Sequence, residues 1–340
     1  SGYSPHDSDG SDVWSGALAR IGQTRISVAS GSTLTMTGGA AGGGGLYVAN
    51  SSGTLIIAGK PLLIGGDTFW ADSGGLTVLS AASNVWGETV LGRGTLRMGA
   101  ARALPAATKL KVGLNYAAGG TLDLNGFDQT VGQLLHNTQT AGVRVVTSPS
   151  PATLTVSQSA DTAFDGNLTG AVRLVKTGAG ALTLSGTNLL TSGGLVVSNG
   201  TLAVTAAASL GSGSLALGGG TFRNGRPAAG AFGASNLVWD AGGALGLTLA
   251  ADGSAGRIAL SGAFSRGAGS AFLFDFAGTG VRDKTYTLVT FSNTTFQASD
   301  FRCRNLGSSP GPTLQGVFAI QSNALTLRTL VQSATVLLLR

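Results

Sequence analysis

Carboxylate side chains are the residues of this chain that could carry enzymatic chemistry, because converging acids can act as general acid and base or bind calcium. Twelve of the 15 acidic residues lie dispersed outside the N-terminal segment: Asp67, Asp72, Glu88, Asp123, Asp128, Asp161, Asp165, Asp240, Asp252, Asp275, Asp283 and Asp300. Two pairs are close enough in sequence to meet near a turn: Asp123 with Asp128, and Asp161 with Asp165. Aspartate at turns commonly bonds to backbone amides. We therefore predict turn capping for these pairs and no catalytic residue.

Three other motifs point only weakly to chemistry. Residues 6–12 (HDSDGSD) resemble a calcium loop but lack its sixth-position glycine and closing glutamate, so we interpret residues 1–13 as a polar tail, with weak calcium binding as the alternative. Residues 307–311 match a nucleophile elbow, yet Pro310 has no N–H to donate to an oxyanion. Residues 211–216 match a dinucleotide fingerprint, but no helix follows them. Both glycine-rich motifs are predicted to be turns.

Histidine and cysteine are too scarce for an ordinary metal centre. With two histidines and one cysteine, a zinc site would need carboxylates for nearly every ligand. His136 is predicted to lie in a loop, and Cys303 to be a buried small apolar residue without a disulfide partner. The sequence therefore predicts no metal site and no cofactor.

Tryptophan and arginine are the remaining candidates for ligand recognition. Four tryptophans could stack on sugar rings if they were exposed in a row, although a buried or capping role is commoner: Trp14, Trp70, Trp86 and Trp239. The net charge of +6 is spread along the chain, without a basic run flanked by stacking aromatics. This distribution argues against a nucleic-acid interface. We interpret the arginines as solvated surface, with an anionic glycan or lipid head group as the alternative contact.

The composition favours strands and tight turns over helices. The chain has 56 glycines but one glutamate, five lysines and two methionines, so the straight-chain residues that favour helices are scarce outside leucine and alanine. Charged residues make up only 11%, which leaves Ser, Thr, Asn and Gly to face solvent. No apolar run approaches ~18 residues, so we predict no membrane span. The start at Ser1, without a charged and apolar leader, is interpreted as that of a processed, exported chain.

A short repeat runs through most of the sequence: Gly, a small residue, Leu, a polar or small residue, then Leu, Val, Met or Ile. Its copies begin at Gly31, Gly53, Gly75, Gly94, Gly120, Gly180, Gly200 and Gly220, with a half-step copy at Gly213. Successive copies are 22, 22, 19 and 26 residues apart from Gly31 to Gly120, and 20 and 20 from Gly180 to Gly220. Residues two apart share one face of a strand, so each copy has an apolar and a wet face.

A single strand of this kind cannot bury its leucines, whereas identical strands stacked ~4.8 Å apart bury a continuous column. A period near 20 residues favours a parallel β-helix over a sandwich, whose hairpins repeat every ~8–12 residues. We predict an all-β fold, a parallel β-helix (β-solenoid) over residues 14–262. From residue 263 the texture becomes Phe-rich, and residues 263–340 are predicted to form a separate β-rich cap over the unpaired strands of one end.

Residues 174–188 (LVKTGAGALTLSGTN) and 193–202 (GGLVVSNGTL) resemble the passenger-associated, or autotransporter-associated, β-strand repeat. Residues 120–132 and 209–222 are similar to recurrent neighbours of that repeat, and residues 271–330 to the terminal module of such proteins. The resemblance implies a right-handed β-helix on or outside the bacterial cell surface. The chain lacks the long series of ~10-residue membrane strands of a translocator barrel. Self-transport is therefore not expected, unless a barrel was removed.

The predicted function is a non-catalytic extracellular structural or adhesive solenoid, located at or outside the cell surface. Because a parallel solenoid ends in unpaired strands, an apolar segment near the C-terminus could cover an edge of its own chain or of a neighbour: Ala334, Thr335, Val336, Leu337, Leu338 and Leu339. We expect other copies as partners, joined end to end in a fibre or surface layer, with surface polysaccharide as a further partner and no nucleic acid. The alternatives are a monomeric glycan-binding adhesin and, less favoured, a polysaccharide lyase or hydrolase.

Overall fold

Glycine turns and alternating apolar residues fold this chain into short strands that stack in parallel. The computed structural model describes residues 10–49, 52–113, 119–136, 142–186, 192–205, 210–227, 229–278, 280–307 and 314–331. These residues are all-β and form a parallel β-solenoid of about ten turns, which confirms the predicted fold class. Their single helical segment is the 3₁₀ turn Ala298–Asp300. The chain divides into two units, Ser1–Gly194 and Leu195–Arg340.

The first unit contains twenty strands in its described part. They are β1 (Ser11–Trp14), β2 (Leu18–Ile21), β3 (Thr24–Ile26), β4 (Thr33–Met36), β5 (Ala40–Gly43), β6 (Leu46–Val48), β7 (Thr54–Ile57), β8 (Leu62–Leu63), β9 (Thr68–Leu79), β10 (Glu88–Met98), β11 (Lys109–Val112), β12 (Gly120–Asp123), β13 (Gln129–Val131), β14 (Gln133–His136), β15 (Val145–Thr147), β16 (Ala152–Ser157), β17 (Thr162–Phe164), β18 (Asn167–Leu168), β19 (Val172–Thr177) and β20 (Ala181–Leu184).

Parallel pairing joins corresponding strands of successive turns in this unit. One sheet runs β1-β4-β7-β9-β10-β12-β15-β18, and the first halves of the long strands β9 and β10 also pair with β6 and β11. Shorter runs are β2-β5-β8, β13-β16-β19 and β17-β20. In the long sheet, Leu34, Leu55, Leu96 and Leu122 belong to one column of strand-to-strand partners. The predicted column of stacked leucines is therefore present.

The second unit continues with fifteen strands in its described part. They are β21 (Leu195–Val197), β22 (Thr201–Val204), β23 (Leu215–Leu217), β24 (Thr221–Asn224), β25 (Ala231–Ala234), β26 (Leu237–Trp239), β27 (Ala244–Leu249), β28 (Arg257–Leu260), β29 (Ala263–Arg266), β30 (Phe272–Gly278), β31 (Thr285–Thr290), β32 (Asn293–Thr294), β33 (Phe301–Arg304), β34 (Leu314–Gln321) and β35 (Ala324–Val331).

Three sheets build the second unit: β21-β23-β26-β29-β32, β22-β24-β27-β30-β33 and β25-β28-β31-β35-β34. Their pairs are parallel except for β31 with β35 and β34 with β35, which are antiparallel. The half-step repeat copy at Gly213 supplies β23, which lies in a different sheet from the copies at Gly200 and Gly220. The predicted domain boundaries at 13/14 and 262/263 stay predictions.

One repeat copy departs from the predicted alternation. The copy at Gly75 is one residue shorter than its neighbours, and Leu55 pairs with Thr77 in place of a leucine. Thr77 is fully buried in the leucine column, while Leu76 and Val78 are half-buried on the outward face. A shift of one residue exchanges the two faces of a strand. The prediction that Leu76 and Val78 face the core was therefore wrong.

Candidate binding surface

Three outward side chains from successive turns line up on the first unit. Arg25 on β3 pairs in register with Tyr47 on β6, and Tyr47 pairs with Trp70 on β9. The chain neighbours of Tyr47 and Trp70 point inward: Leu46, Val48, Phe69 and Ala71 are all buried. Because alternate residues of a strand face opposite sides, the fold holds Arg25, Tyr47 and Trp70 on the outward face.

The two aromatic rings are neighbours. The ring centroids of Tyr47 and Trp70 are 6.3 Å apart with planes at 48°. The guanidinium of the exposed Arg25 lies 5.6 Å from the centroid of the Tyr47 ring, within the range of a cation–π contact. The Trp70 ring rests against Gly45, where an added Cβ would lie 2.0 Å from Trp70 Cζ3. Glycine at position 45 is therefore required for this placement of Trp70.

A buried carboxylate anchors the aromatic pair. Asp72 is 3% exposed and accepts a hydrogen bond from Tyr47 Oη at its Oδ2 and from Arg93 Nε at its Oδ1, at 2.9 Å. The hydrogen bond to Asp72, with burial, raises the pKa of Tyr47, so its hydroxyl stays protonated and keeps donating. The Arg93 side chain is 52% exposed. The carboxylate of Asp72 thus contacts the guanidinium of Arg93, while that of Arg25 lies against the Tyr47 ring.

A third arginine, Arg20, is buried and holds the backbone under Trp70. Arg20 is 5% exposed, and its Nη2 donates to the carbonyl oxygens of Gly44 and Gly45. Asp67 Oδ2 accepts a hydrogen bond from the Gly44 amide at 2.5 Å. Burial lowers the pKa of Arg20. These contacts fix the glycine segment that carries the Trp70 ring.

The predictions for arginine and tryptophan are only partly confirmed. Burial of Arg20, Arg144 and Arg226 shows that the prediction of solvated arginines was wrong at these positions. The reason is that a guanidinium can bond to the carbonyl oxygens of turns, as that of Arg226 does to Ala231. Trp86 and Trp239 are buried as predicted, whereas Trp14 is 37% exposed and Trp70 is half-buried.

Sequence reasoning missed Tyr47, Asp72 and Arg93 as members of this surface. A usable signal was present: Arg25, Tyr47 and Trp70 are 22 and 23 residues apart, which is one turn of the solenoid each. Tyr47 and Trp70 also stand in the middle of apolar triplets, Leu-Tyr-Val and Phe-Trp-Ala. In such triplets the outer residues face the core and the middle one faces solvent. The contact of Asp72 with Arg93 had no such signal, because it depends on a register shift between β9 and β10.

The paired acids singled out from the sequence have separate structural contacts. Asp123 Oδ1 accepts from the Asn125 amide at 2.9 Å, which confirms turn capping, and its Oδ2 accepts from Arg97 Nε at 2.8 Å. The other three bond elsewhere: Asp128 to the Thr153 amide at 2.6 Å, Asp161 to the Ala181 amide at 2.7 Å and Asp165 to Arg144 at 2.8 Å. These acids join one turn of the solenoid to the next, so turn capping was the wrong prediction for Asp128, Asp161 and Asp165.

The remaining candidates add no reactive group among the described residues. His136, predicted in a loop, is instead the last residue of β14, and its Nδ1 lies 2.8 Å from the Ala163 carbonyl oxygen. Cys303 lies half-buried on β33, and burial raises the pKa of its thiol, which disfavours the reactive thiolate. Residues 211–213 form a turn, as predicted, with the Gly213 amide donating to Leu210. No three His, Cys, Asp or Glu side chains of the described segments are placed to share a metal ion.

Several predicted features lie outside the described residues. These are most of the 6–12 motif, most of the 307–311 motif and the whole proposed assembly segment Ala334, Thr335, Val336, Leu337, Leu338 and Leu339.

A surface cavity of about 260 Å³ lies in the first unit beside Arg102, Pro105 and Thr130, and no acidic residue is part of its lining.

The chain is similar in sequence, over part of its length, to an autotransporter adhesin. It is 32% identical over 187 residues to the adhesin BmaC autotransporter of Brucella suis biovar 1 (strain 1330). The matched part is 55% of this chain but only 5% of that protein's length. No protein family model matches the sequence. In the part of the chain that the structure describes, no helix has the length and apolar character needed to cross a membrane. The chain is thus a β-solenoid with weak homology to an autotransporter adhesin.

Proposed function

We propose that this chain is a non-catalytic, adhesive part of an exported bacterial surface protein, built from passenger-associated β-strand repeats. The observation that carries the proposal is the stack of parallel strands in a chain similar to an autotransporter adhesin. In such a stack the inward columns supply the stability, so outward side chains are available for recognition. The same rigid surface serves attachment at or outside the cell surface.

A non-catalytic role is supported by what the acidic residues do. Asp72, Asp123 and Asp275 each accept hydrogen bonds from arginine side chains on the outward faces of their sheets. Asp128 and Asp161 each accept a hydrogen bond from a backbone amide of a later turn. A general acid or base must instead reach a substrate proton. The acids with these contacts serve to join turns.

Self-association through the ends is part of the proposal. The edge strand β34 has its described hydrogen-bonding neighbour, β35, on one side, and Val317 on β34 is 51% exposed. At the other end of the sequence, β1 likewise pairs only with β4 among the described strands, and Val13 is 72% exposed. Open edges of this kind favour strand addition. We propose that residues 334–339 cover such an edge of another copy.

The adhesive function is tested by displaying the full 340-residue chain on a non-adherent bacterium, fused to an unrelated translocator. Attachment to cultured cells and to polysaccharide-coated surfaces is counted against the same strain displaying an unrelated solenoid at equal surface density. We expect several-fold more attached bacteria with this chain. Equal attachment of the two strains at verified equal display would refute the adhesive function.

Self-association is tested separately by analytical ultracentrifugation and negative-stain microscopy of the full chain across a concentration range. One variant lacks residues 334–340. A second variant keeps the full length but carries Leu337→Ser, Leu338→Ser and Leu339→Ser, which separates the apolar character of the segment from its length. Growth of the full chain into filaments, lost in both altered proteins, is the expected result. A monomeric full chain at all concentrations, or normal fibres from the truncated chain, contradicts end-to-end assembly.

A further inference from the structure

We infer that the outward surface formed by Arg25, Tyr47, Trp70, Asp72 and Arg93, called here the Tyr47–Trp70 surface, binds a saccharide that carries a carboxylate. The inference rests on the proposed adhesive function and deepens it by naming the ligand class and the residues that contact it. The ligand is a pyranose with an acidic group, as in a hexuronate polymer or a sialylated chain.

The aromatic pair supplies the reason for a sugar. Tyr47 and Trp70 are half-buried side by side on the outward face. The core does not use these rings, since it is closed by Leu46, Val48 and Phe69 beneath them. An amphipathic aromatic side chain offers an apolar face next to a polar tip. That combination matches a pyranose, whose C–H face is apolar and whose rim carries hydroxyl groups.

The charges supply the reason for an acidic sugar. Both oxygens of Asp72 accept hydrogen bonds from members of the surface, Tyr47 and Arg93, so the carboxylate orients donors instead of competing for the ligand. The surface contains two guanidiniums, one paired with Asp72 and one over the Tyr47 ring, so its members carry one more positive than negative charge. Guanidinium groups recognise carboxylates by paired, charge-assisted hydrogen bonds. A neutral sugar would satisfy the rings but not this charge.

The surface is also preorganised. Arg93 is held at Nε by Asp72, a residue that is 3% exposed, and Arg25 lies against the Tyr47 ring. Trp70 rests on Gly45, whose segment is fixed by Arg20 and Asp67. Side chains that are already ordered lose little entropy on binding. This is what a binding site requires and what solvated side chains on an ordinary sheet face lack.

A single-stranded nucleic acid would use the same kinds of group, but the arrangement fits it less well. Binding of successive bases needs a series of stacking rings along a basic groove. The row across the turns holds two rings, and the next partner of Trp70 in register is Val90. We therefore treat nucleic acid as an outcome of the test that would contradict the inference.

The experiment measures binding of the full chain to carboxylated oligosaccharides by titration calorimetry and on a glycan array. One arm uses oligogalacturonate and another sialyllactose, and the neutral controls are galacto-oligosaccharides and lactose. The variant is Trp70→Ala, and the matched control is Trp14→Ala, which alters an exposed tryptophan outside the surface. Arg93→Gln tests the charge while keeping both rings.

Carboxylated sugars are expected to bind about tenfold or more tightly than their neutral analogues. Tighter binding of oligogalacturonate or of sialyllactose identifies the ligand as a hexuronate polymer or a sialylated chain. Trp70→Ala and Arg93→Gln should each weaken binding about tenfold or more, and Trp14→Ala less than about twofold. Loss of binding counts for variants that are folded under the assay conditions by circular dichroism, and Arg93→Gln serves if Trp70→Ala unfolds. Absence of binding in both arms, equal binding of neutral sugars, unchanged Trp70→Ala or tighter binding of single-stranded DNA overturns the inference.

The attachment assay separates this failure from failure of the adhesive function. Bacteria displaying Trp70→Ala are expected to attach no better than the control solenoid to surfaces coated with the acidic polysaccharide. If the displayed chain attaches to cells while no carboxylated sugar binds, the inference falls and the adhesive function stands. If neither attachment nor sugar binding occurs, both fall.

Discussion

Trp70 in the first unit and Trp239 in the second lie on opposite faces of their sheets. In the first unit, Trp70 lies on the outward face with Tyr47 beside it. In the second unit, Trp239 is fully buried, with Phe274 at 5.2 Å and Phe272 at 5.6 Å in edge-to-face contact. The two strands carry similar tripeptides, Phe-Trp-Ala and Leu-Val-Trp, in which the tryptophan occupies a different position.

Strand parity explains the difference. In β26, Leu237 and Trp239 point inward while Val238 is 44% exposed. In the first half of β9, Phe69 is buried and Trp70 next to it faces outward. Since a shift of one position exchanges the faces, the same residue type becomes core or surface without any change of fold. The comparison teaches that composition alone does not distinguish a packing aromatic from a binding one.

The largest test of this comparison replaces each tryptophan by alanine. Trp239→Ala removes the centre of an aromatic cluster and is expected to lower the free energy of unfolding by about 3–5 kcal/mol, as large-to-small core changes do. Trp70→Ala should cost about 1 kcal/mol or less, because its ring is half-buried on the surface. Urea unfolding followed by circular dichroism measures both. Similar losses for the two variants would mean that Trp70 also has a packing role.

The outward faces of the two units share a second feature, a buried aspartate that accepts hydrogen bonds from arginine side chains. Asp275 in the second unit is 6% exposed and accepts from Arg223 at 2.9 Å, Arg304 at 3.0 Å and Asn305 at 2.8 Å. Gly246 lies in register between Arg223 and Asp275. An added Cβ at Gly246 would lie 3.1 Å from Arg223 Cγ, so the arginine passes over a residue without a side chain. No aromatic ring joins this cluster in the described contacts, unlike the one at Asp72.

We therefore predict a structural role for Asp275 that depends on pH. The hydrogen bond from Arg304, with those of Asn305 and the charge of Arg223, lowers the pKa of Asp275. A carboxyl group with a lowered native pKa stabilises the fold above its unfolded pKa of about 3.9, and this contribution is lost as pH falls through the lower native value. Asp275→Asn should cost about 2 kcal/mol at pH 7. The difference in melting temperature from the parent should shrink from pH 5 to below pH 3.

The matched control for this prediction is Asp283→Asn. Asp283 pairs with Arg282 at 2.8 Å, but their side chains are 54% and 68% exposed. Exposed pairs contribute about 0–1 kcal/mol, so this variant should melt close to the parent at every pH. A pH-independent loss in Asp275→Asn would mean that shape and not charge explains its effect.

Part of this structure was predictable from the sequence. The spacing of the glycine-leucine copies predicts the parallel stack, because each copy can bury its leucines only against the next turn. Contacts that cross turns were not predictable: Arg223 and Asp275 are 52 residues apart, and their meeting depends on the lengths of two intervening turns. The register at Gly75 was missed for the same reason, since one missing residue decides which of Leu76 and Thr77 faces the core.

The smallest predicted effect tests that register directly. Thr77 is fully buried, and its hydroxyl has no hydrogen-bond partner, so Thr77→Val should raise the free energy of unfolding by about 1 kcal/mol by removing an unsatisfied polar group. Thr89→Val is the matched control, because the equally buried Thr89 hydroxyl accepts from Trp86 Nε1 at 2.7 Å and lies 2.9 Å from that of Thr108. That variant should lose about 1–2 kcal/mol. A urea midpoint unchanged by Thr77→Val would contradict the burial of Thr77 in the leucine column, and a loss of stability would contradict the unsatisfied hydroxyl.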